Sequence, residues 1–242
     1  MLVGIAVLAS LWRRADFEGD IGIAVLRSFI QLTAVGYVIQ AIFDSDSLAL
    51  VALLLAFMVV FGAFTARGRA KAVPGVLPIL LLALGTAAAL TLGLVLALGI
   101  FDPKAQYLVP VGGMVIGNAM TAAAVALNRL ADEIKDKANL IEATLALGAT
   151  APQASTGLVA RALRSGLIPL IDQTKTTGMV FFPGAMVGAL LGGASPVDAV
   201  RLQLILLWTL MGAAAISSLI ATGLAQRNFF TPAHQLREPP EP

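Results

Sequence analysis

Asp172, Lys175 and Thr176 stand at i, i+3 and i+4 in an otherwise apolar stretch, so a helix there carries a carboxylate, an ammonium and a hydroxyl on one face. Met179 and Met186 extend that face at helical spacing. A charge at the centre of a membrane helix costs about 2.5–3.5 kcal/mol on insertion scales, so such groups turn toward protein or water. Two readings follow. One is an intrahelical ion pair at the inner boundary, with Lys175 snorkelling; the other is a pair that gates or touches a solute near the inner end of its path. Met114, Asn118, Thr121 and Asn128 form a second polar stripe, beside Gly112, Gly113 and Gly117, which admit a neighbouring helix. Such a stripe either glues helices together or lines the same path. Arg27 and Gln31 are an i, i+4 pair, and Arg27 either answers Asp172 across helices or reaches the headgroups. Pro183-Gly184 predicts a kink, a common device where helices open around a path.

These residue types are poor material for catalysis. The chain has no Cys and a single His, His234, in a Pro-rich tail, which excludes disulfides, thiolate metal sites and Cys/His chemistry. No paired carboxylates, Ser/His dyad or His cluster lies in the apolar segments, so an intramembrane enzyme is not supported and no catalytic residue is assigned. Fe²⁺ prefers imidazole and carboxylate, and methionine sulfur suits softer ions, so no metal-ligating set is assigned either. No G-x-x-x-x-G-K-[S/T] loop occurs, and Lys175-Thr176 is preceded by Thr174 in an apolar segment. Any ATP and Mg²⁺ must therefore be held by another chain, and this one needs no cofactor of its own.

The elements that position these groups follow from composition. Of 242 residues, 58% are hydrophobic and 12% charged, too little polar surface to clothe a soluble globule. A net charge of +2 leaves no basic patch for nucleic acid. With about 20 apolar residues needed per crossing, spans are read over 21–43, 48–66, 76–100, 107–127, 169–191 and 197–225. Ser195, Pro196 and Asp198 mark the start of the last. Residues 1–12 end in Trp12-Arg13-Arg14, an interfacial anchor in form. They are too short to cross upright and are read as a first helix with a shortened outer end, or as a start placed too late. The fold class is therefore all-α and polytopic, with six to seven transmembrane helices. Arg and Lys gather in alternate loops, which puts the N-terminus outside and the C-terminus in the cytoplasm.

The long polar passage over 129–165 falls on the cytoplasmic side. It reads as two helices, 132–147 and 151–164, joined at a Gly elbow. Ile134, Ala138, Ile141 and Leu145 make one apolar stripe, while Asp132, Lys135, Asp136 and Glu142 face water. Gly148 suits a left-handed C-terminal cap, and Thr150 with Gln153 suits the start of the next helix. Such a pair either lies on lipid headgroups or seats in a cytosolic motor subunit.

Several ordered blocks carry a resemblance. Val111-Gly-Gly-Met-Val-Ile-Gly-Asn118-Ala-Met-Thr121, Ala126-Leu-Asn-Arg-Leu130, Leu147-Gly-Ala-Thr150, Pro169-Leu-Ile-Asp-Gln-Thr-Lys175, Phe182-Pro-Gly-Ala-Met186, Leu191-Gly-Gly-Ala-Ser-Pro196 and Phe229-Phe-Thr-Pro-Ala-His-Gln-Leu236 are similar to the signature blocks of the FetB-type ABC transporter permease family. That family comprises bacterial iron-export permeases and aluminium-tolerance relatives in plants. The likeness spans the chain from Gly19 to Leu236 and departs from the family at the short N-terminus. It implies a multi-pass permease of the cytoplasmic (inner) membrane, one domain over 1–242 with a coupling segment at 129–165 and a cytoplasmic tail at 227–242. It further implies a homodimer paired with two copies of a cytosolic ABC ATPase for efflux of iron or a related metal. The run Glu142-Ala143-Thr-Leu-Ala-Leu-Gly148 resembles an importer-type coupling motif, which makes Glu142, Ala143, Gly148, Thr150 and Arg161 the coupling candidates. The alternatives are an ABC permease for an organic solute such as a nucleotide sugar, and an ATP-independent carrier or channel.

Overall fold

The computed structural model describes residues 18–45 and 47–237. The expected short first helix and its Arg13-Arg14 anchor lie outside the described residues. Eight helices occur among the described residues: α1 (Glu18–Ser45), α2 (Leu48–Arg69), α3 (Val76–Ala97), α4 (Ala105–Asp136), α5 (Ala138–Ala146), α6 (Ala151–Thr176), α7 (Gly184–Leu191) and α8 (Pro196–Asn228). Five of them, α1 to α4 and α8, are long and apolar enough to cross a membrane. The protein is an all-α, multi-pass membrane protein.

The chain divides into two compact units after Leu50. In the first, α1 is apolar around most of its circumference, with Ile23, Leu26, Phe29, Ile30 and Leu32 exposed. Ser28 and Thr33 return their hydroxyls to the carbonyls of Val25 and Phe29, the usual way a hydroxyl is satisfied in an apolar helix.

In the second unit α4 and α8 form the most extensive contact, and α3, α6 and α7 pack around them. The seams are made of small residues: Ala83, Ala87 and Ala88 on α3, Ala119, Ala122, Ala123 and Ala126 on α4, and Ala213, Ala214, Ala221 and Ala225 on α8, all buried. Lipid is as apolar as leucine, so small side chains that let backbones approach supply the packing gain. Gly166 of α6 shows the principle: a Cβ there would lie 2.6 Å from the carbonyl oxygen of Ala122 and 2.9 Å from Ala126 Cβ. Ser217 of α8 donates its hydroxyl to the Ala119 carbonyl at 3.0 Å, a polar tie across the same core.

Helix ends follow the sequence signals. Ser195 caps α8, accepting the Asp198 N–H at 3.2 Å and donating to its carboxylate at 2.6 Å. Gly148 takes φ 91° after α5; its N–H reaches the Leu145 carbonyl and the next N–H reaches that of Thr144, which together form a Schellman cap.

Three boundaries differ from expectation. The elbow's first helix is not continuous over 132–147: residues up to Asp136 complete α4, and α5 starts anew after a bend at Lys137 (φ −113°, ψ 21°). The apolar stripe runs straight through that single-residue bend, so periodicity conceals it. The second elbow helix does not end at 164. It continues through Pro169 to Thr176, because the Ala162, Gly166 and Leu170 face is buried, which outweighs the proline's missing N–H. The span expected over 169–191 is therefore two pieces. Gly178 at φ 87° ends α6, and α7 restarts after Pro183, which occupies the cap position where its missing N–H costs nothing. The expected proline kink is a full break.

Candidate functional site

The elbow is built around a residue that sequence reasoning missed. Glu133, near the end of α4, is only 4% exposed. Its carboxylate accepts from Arg129 Nη2 at 2.6 Å, Lys137 Nζ at 2.8 Å, and Arg161 Nε and Nη2 at 3.0 and 2.9 Å. Thirty-two residues of helix rise about 48 Å, against about 30 Å of hydrocarbon. The charged end of α4 thus projects beyond the apolar stretch 107–127, and Glu133 lies outside the span. The hydrogen bonds from Lys137 and Arg161 outweigh its burial and hold its carboxyl at about 2, well below its ordinary 4.5. Arg161 is thereby the residue that ties α6 to α4. A pattern search for stripes passes over Glu133 because a lone glutamate among Arg129, Lys137 and Arg161 reads as one more wet position; its i−4 and i+4 basic neighbours were the available signal.

Around this clamp the other parts are fixed. Ile134 and Ile141 are buried and Ala138 and Leu145 half-buried, so the inner stripe packs as its spacing requires, while Asp132, Lys135, Asp136 and Glu142 are exposed. Gln153 accepts the Thr150 N–H at 2.8 Å, and the Thr150 hydroxyl donates to the same oxygen at 3.1 Å, closing the start of α6. From the far end of the chain, Gln226 donates to the buried Ser155 hydroxyl at 2.7 Å, and His234 Nδ1 accepts the Ala151 N–H at 3.3 Å. The elbow is therefore tied to α4 and α8 by polar contacts.

The outer side of α5 is different. Leu140, Ala143 and Leu147 recur at i, i+3 and i+7 and are all exposed, Leu140 by 64% and Leu147 by 90%. Glu142 adjoins them and lines a cleft of about 390 Å³ with Leu145, Ala146 and tail residues including His234 and Leu236. A short, braced helix thus presents a second apolar stripe that nothing in the described chain covers.

The polar residues of the spans are brought together only in part. On α4, Asn118 donates its amide to the Met114 carbonyl at 2.9 Å and Thr121 its hydroxyl to that of Gly117 at 3.0 Å, and both lie on a partly open face. On α6, Lys175 Nζ is 3.6 Å from Asp172 Oδ1, with side chains 70% and 63% exposed. Thr176 returns its hydroxyl to the Asp172 carbonyl at 2.9 Å. Arg161 meets Glu133, and five residues later Gly166 meets Ala122 and Ala126, so α6 runs antiparallel to α4. Asp172 lies a further six residues on, about 9 Å, level with the apolar middle of α4. Antiparallel packing thus sets the pair alongside the apolar stretch of α4. Met179 and Met186 do not extend its face. The break at Gly178 puts Met179 in an exposed turn and Met186 on α7. Arg27 and Gln31 lie on α1, in the other unit, and the ion pair that Asp172 makes is with Lys175. Among the described residues no three His, Cys, Asp or Glu side chains group to hold a metal ion.

Long apolar helices around a seam of alanines, with a charged helical elbow at one end, define a polytopic membrane protein. Over residues 1–230 the chain matches the model of UPF0014, described as an uncharacterised protein family, and it belongs to that family. It is 39% identical over 237 residues to "Protein ALUMINUM SENSITIVE 3" of Arabidopsis thaliana, covering 98% of this chain and 87% of the relative. It is equally similar to "UPF0014 membrane protein STAR2" of Oryza sativa subsp. japonica, at 39% identity with 98% and 83% covered. It is 35% identical over 236 residues to "Probable iron export permease protein FetB" of Escherichia coli (strain K12), with 98% and 91% covered. No solved structure matches the chain.

Proposed function

We propose that the protein is the membrane permease subunit of an ABC-type exporter, working as a homodimer with two copies of a cytosolic ATPase that hold ATP and Mg²⁺. The observation that carries this reading is the uncovered stripe of Leu140 and Ala143 on α5 and Leu147 at its C-terminal cap. Exposed leucines on an aqueous elbow are costly unless something covers them, and the Glu133 clamp makes the elbow stiff enough to pass on a push. Force on α5 reaches α4 through Glu133 and α8 through Ser155–Gln226. The polar groups of the helices on which such a movement would act are Asp172, Lys175, Asn118 and Thr121.

Iron or a related metal is the cargo that the similarity to the Escherichia coli relative favours. Among the described residues the side chains on offer suit weak, passing contact with a hydrated or chelated ion, which export requires, and provide no tight dehydrated site. The test is co-expression with a candidate ATPase, capture through a tag on the permease, and ATP turnover and metal efflux in vesicles. An active complex whose turnover rises with internal iron is expected. A permease that transports without any ATPase would overturn the reading, and a complex stimulated only by an organic solute would overturn the cargo.

A further inference from the structure

The last turn of α2 and the loop that joins it to α3 form the most one-sidedly charged part of the chain. Between Asp46 and Asp102 there is no acidic residue, yet Arg67, Arg69 and Lys71 fall within five positions. No carboxylate of the described residues pairs with Arg67 or Lys71, and both are exposed. They line a cleft of about 840 Å³ whose other walls are Phe64 on the last turns of α2, the backbone of residues 73–75, and Leu77 and Pro78 on the first turn of α3.

The cleft is built and does not arise from a slack loop. Asn228, the last residue of α8, donates its amide to the Pro74 carbonyl at 2.8 Å, while Val73 and Ala70 are buried. A Cβ at Gly75 would meet that same Asn228 amide at 3.3 Å, and Gly75 takes φ 61°, so the bend into α3 is fixed by its neighbours. Gly75 is also the N-cap of α3 and offers no side-chain acceptor to the first turn, so the positive end of the helix faces the same space. The position matters most. The apolar stretch of α2 ends one residue before Arg67, and α3 is apolar from its first residue, so the cleft opens at the level where hydrocarbon gives way to headgroups. Phe64, which is exposed, stands three residues before Arg67 on the apolar side of the two cations.

We infer that this cleft binds the headgroup of an anionic phospholipid, with Arg67 and Lys71 on the phosphate and the acyl chains descending past Phe64 and Leu77. The chemistry shared with any phosphate is the pair of cations beside an uncapped helix end. The apolar wall directly beneath selects the lipid over the free ion. A basic residue near a membrane surface contributes about fivefold to the affinity for an anionic lipid, so the pair contributes about twenty-fivefold.

The experiment titrates the full chain in neutral detergent with phosphatidylglycerol or phosphatidylcholine and counts bound lipids by native mass spectrometry. The expected result is a first phosphatidylglycerol held about twenty-fivefold more tightly than phosphatidylcholine, a preference reduced about fivefold by Arg67→Gln or Lys71→Gln and abolished by both together. Arg69→Gln removes the same charge from the same segment without touching the cleft, and should leave the preference intact. The substituted side chains are exposed, so the variants keep the wild-type thermal midpoint. A double variant that binds phosphatidylglycerol like wild type would overturn the site. An Arg69→Gln loss as large as that of Arg67→Gln would reduce it to diffuse surface charge. Displacement of the lipid by excess inorganic phosphate would assign the cleft to a soluble anion instead.

Discussion

Replacing Glu133 with Gln tests the elbow at its centre. The substitution keeps the shape and one carbonyl oxygen but removes the charge that three cations share. A hydrogen bond to a charged group contributes about 1.5–3 kcal/mol, and breaking a buried pair costs about 3–5 kcal/mol when the survivor is stranded. Here the survivors are not stranded: the side chains of Arg129, Lys137 and Arg161 are 47%, 37% and 47% exposed, and water takes up part of the loss. About 2 kcal/mol is therefore the expected destabilisation. At roughly 2–4 °C per kcal/mol for a chain of this size, the midpoint of aggregation on heating in detergent, followed by size-exclusion chromatography, should fall by about 4–8 °C. Adding Arg161→Met to Glu133→Gln should recover part of that, because it removes one unmatched cation. The clamp also predicts a pH dependence. The carboxyl is held at about 2 in the folded protein against an ordinary 4.5, so its contribution is complete above about 4.5 and is lost as the pH falls toward 2. The gap between wild type and Glu133→Gln should accordingly narrow from neutral pH to pH values near the folded one. A Glu133→Gln midpoint equal to wild type at neutral pH would refute the clamp as a support for the elbow.

Leu147→Asp changes an exposed residue with no packing to lose, so membrane abundance and thermal midpoint should hold while capture of the ATPase fails; full capture would remove the outer stripe from the docking surface. Gly148→Val meets nothing within 4 Å, but φ 91° strains a β-branched residue by about 1–2 kcal/mol, so docking and coupled ATP turnover should weaken with insertion intact, and Glu142→Lys should weaken docking likewise; wild-type capture by both would exclude these positions. For the intramembrane pair, Asp172→Asn and Lys175→Met should each lower abundance or transport, and the double variant should recover abundance with transport still lost if the pair lines the path. Recovery of both would make the pair structural, and wild-type behaviour in all three would place it in solvent.

Much of this architecture is legible in the residues themselves. Runs of about 20 apolar positions leave few choices of element, and α2, α3 and α8 begin and end close to where composition and the Ser195 cap put them. The left-handed cap at Gly148 and the buried stripe of Ile134 and Ile141 follow from local chemistry, which needs no partner. The failures share a cause. Pro169 reads as a helix start and Arg164 as a helix end because each is judged by its neighbours in sequence, whereas the contact of Gly166 with Ala122 and Ala126 carries α6 through both. Met179 and Met186 share a face with Asp172 only if the helix is unbroken, and the left-handed turn at Gly178 breaks it.

By itself the sequence determined the class of solvent the chain lives in, the place of most of its long apolar helices, and the polar groups that a membrane tolerates only for a reason. These are sums over local composition, and no fold is needed to evaluate them. The tertiary structure decided which charges meet. Arg161 and Glu133 are 28 positions apart, and His234 and Ala151 are 83 apart. Electrostatic and hydrogen-bonding energies depend on distance in space, which spacing along the chain does not specify once a helix has turned back. The same dependence decides what Asp172 lies beside: its place in the sequence names no neighbour, and the antiparallel packing of α6 on α4 sets it alongside the apolar stretch of that helix.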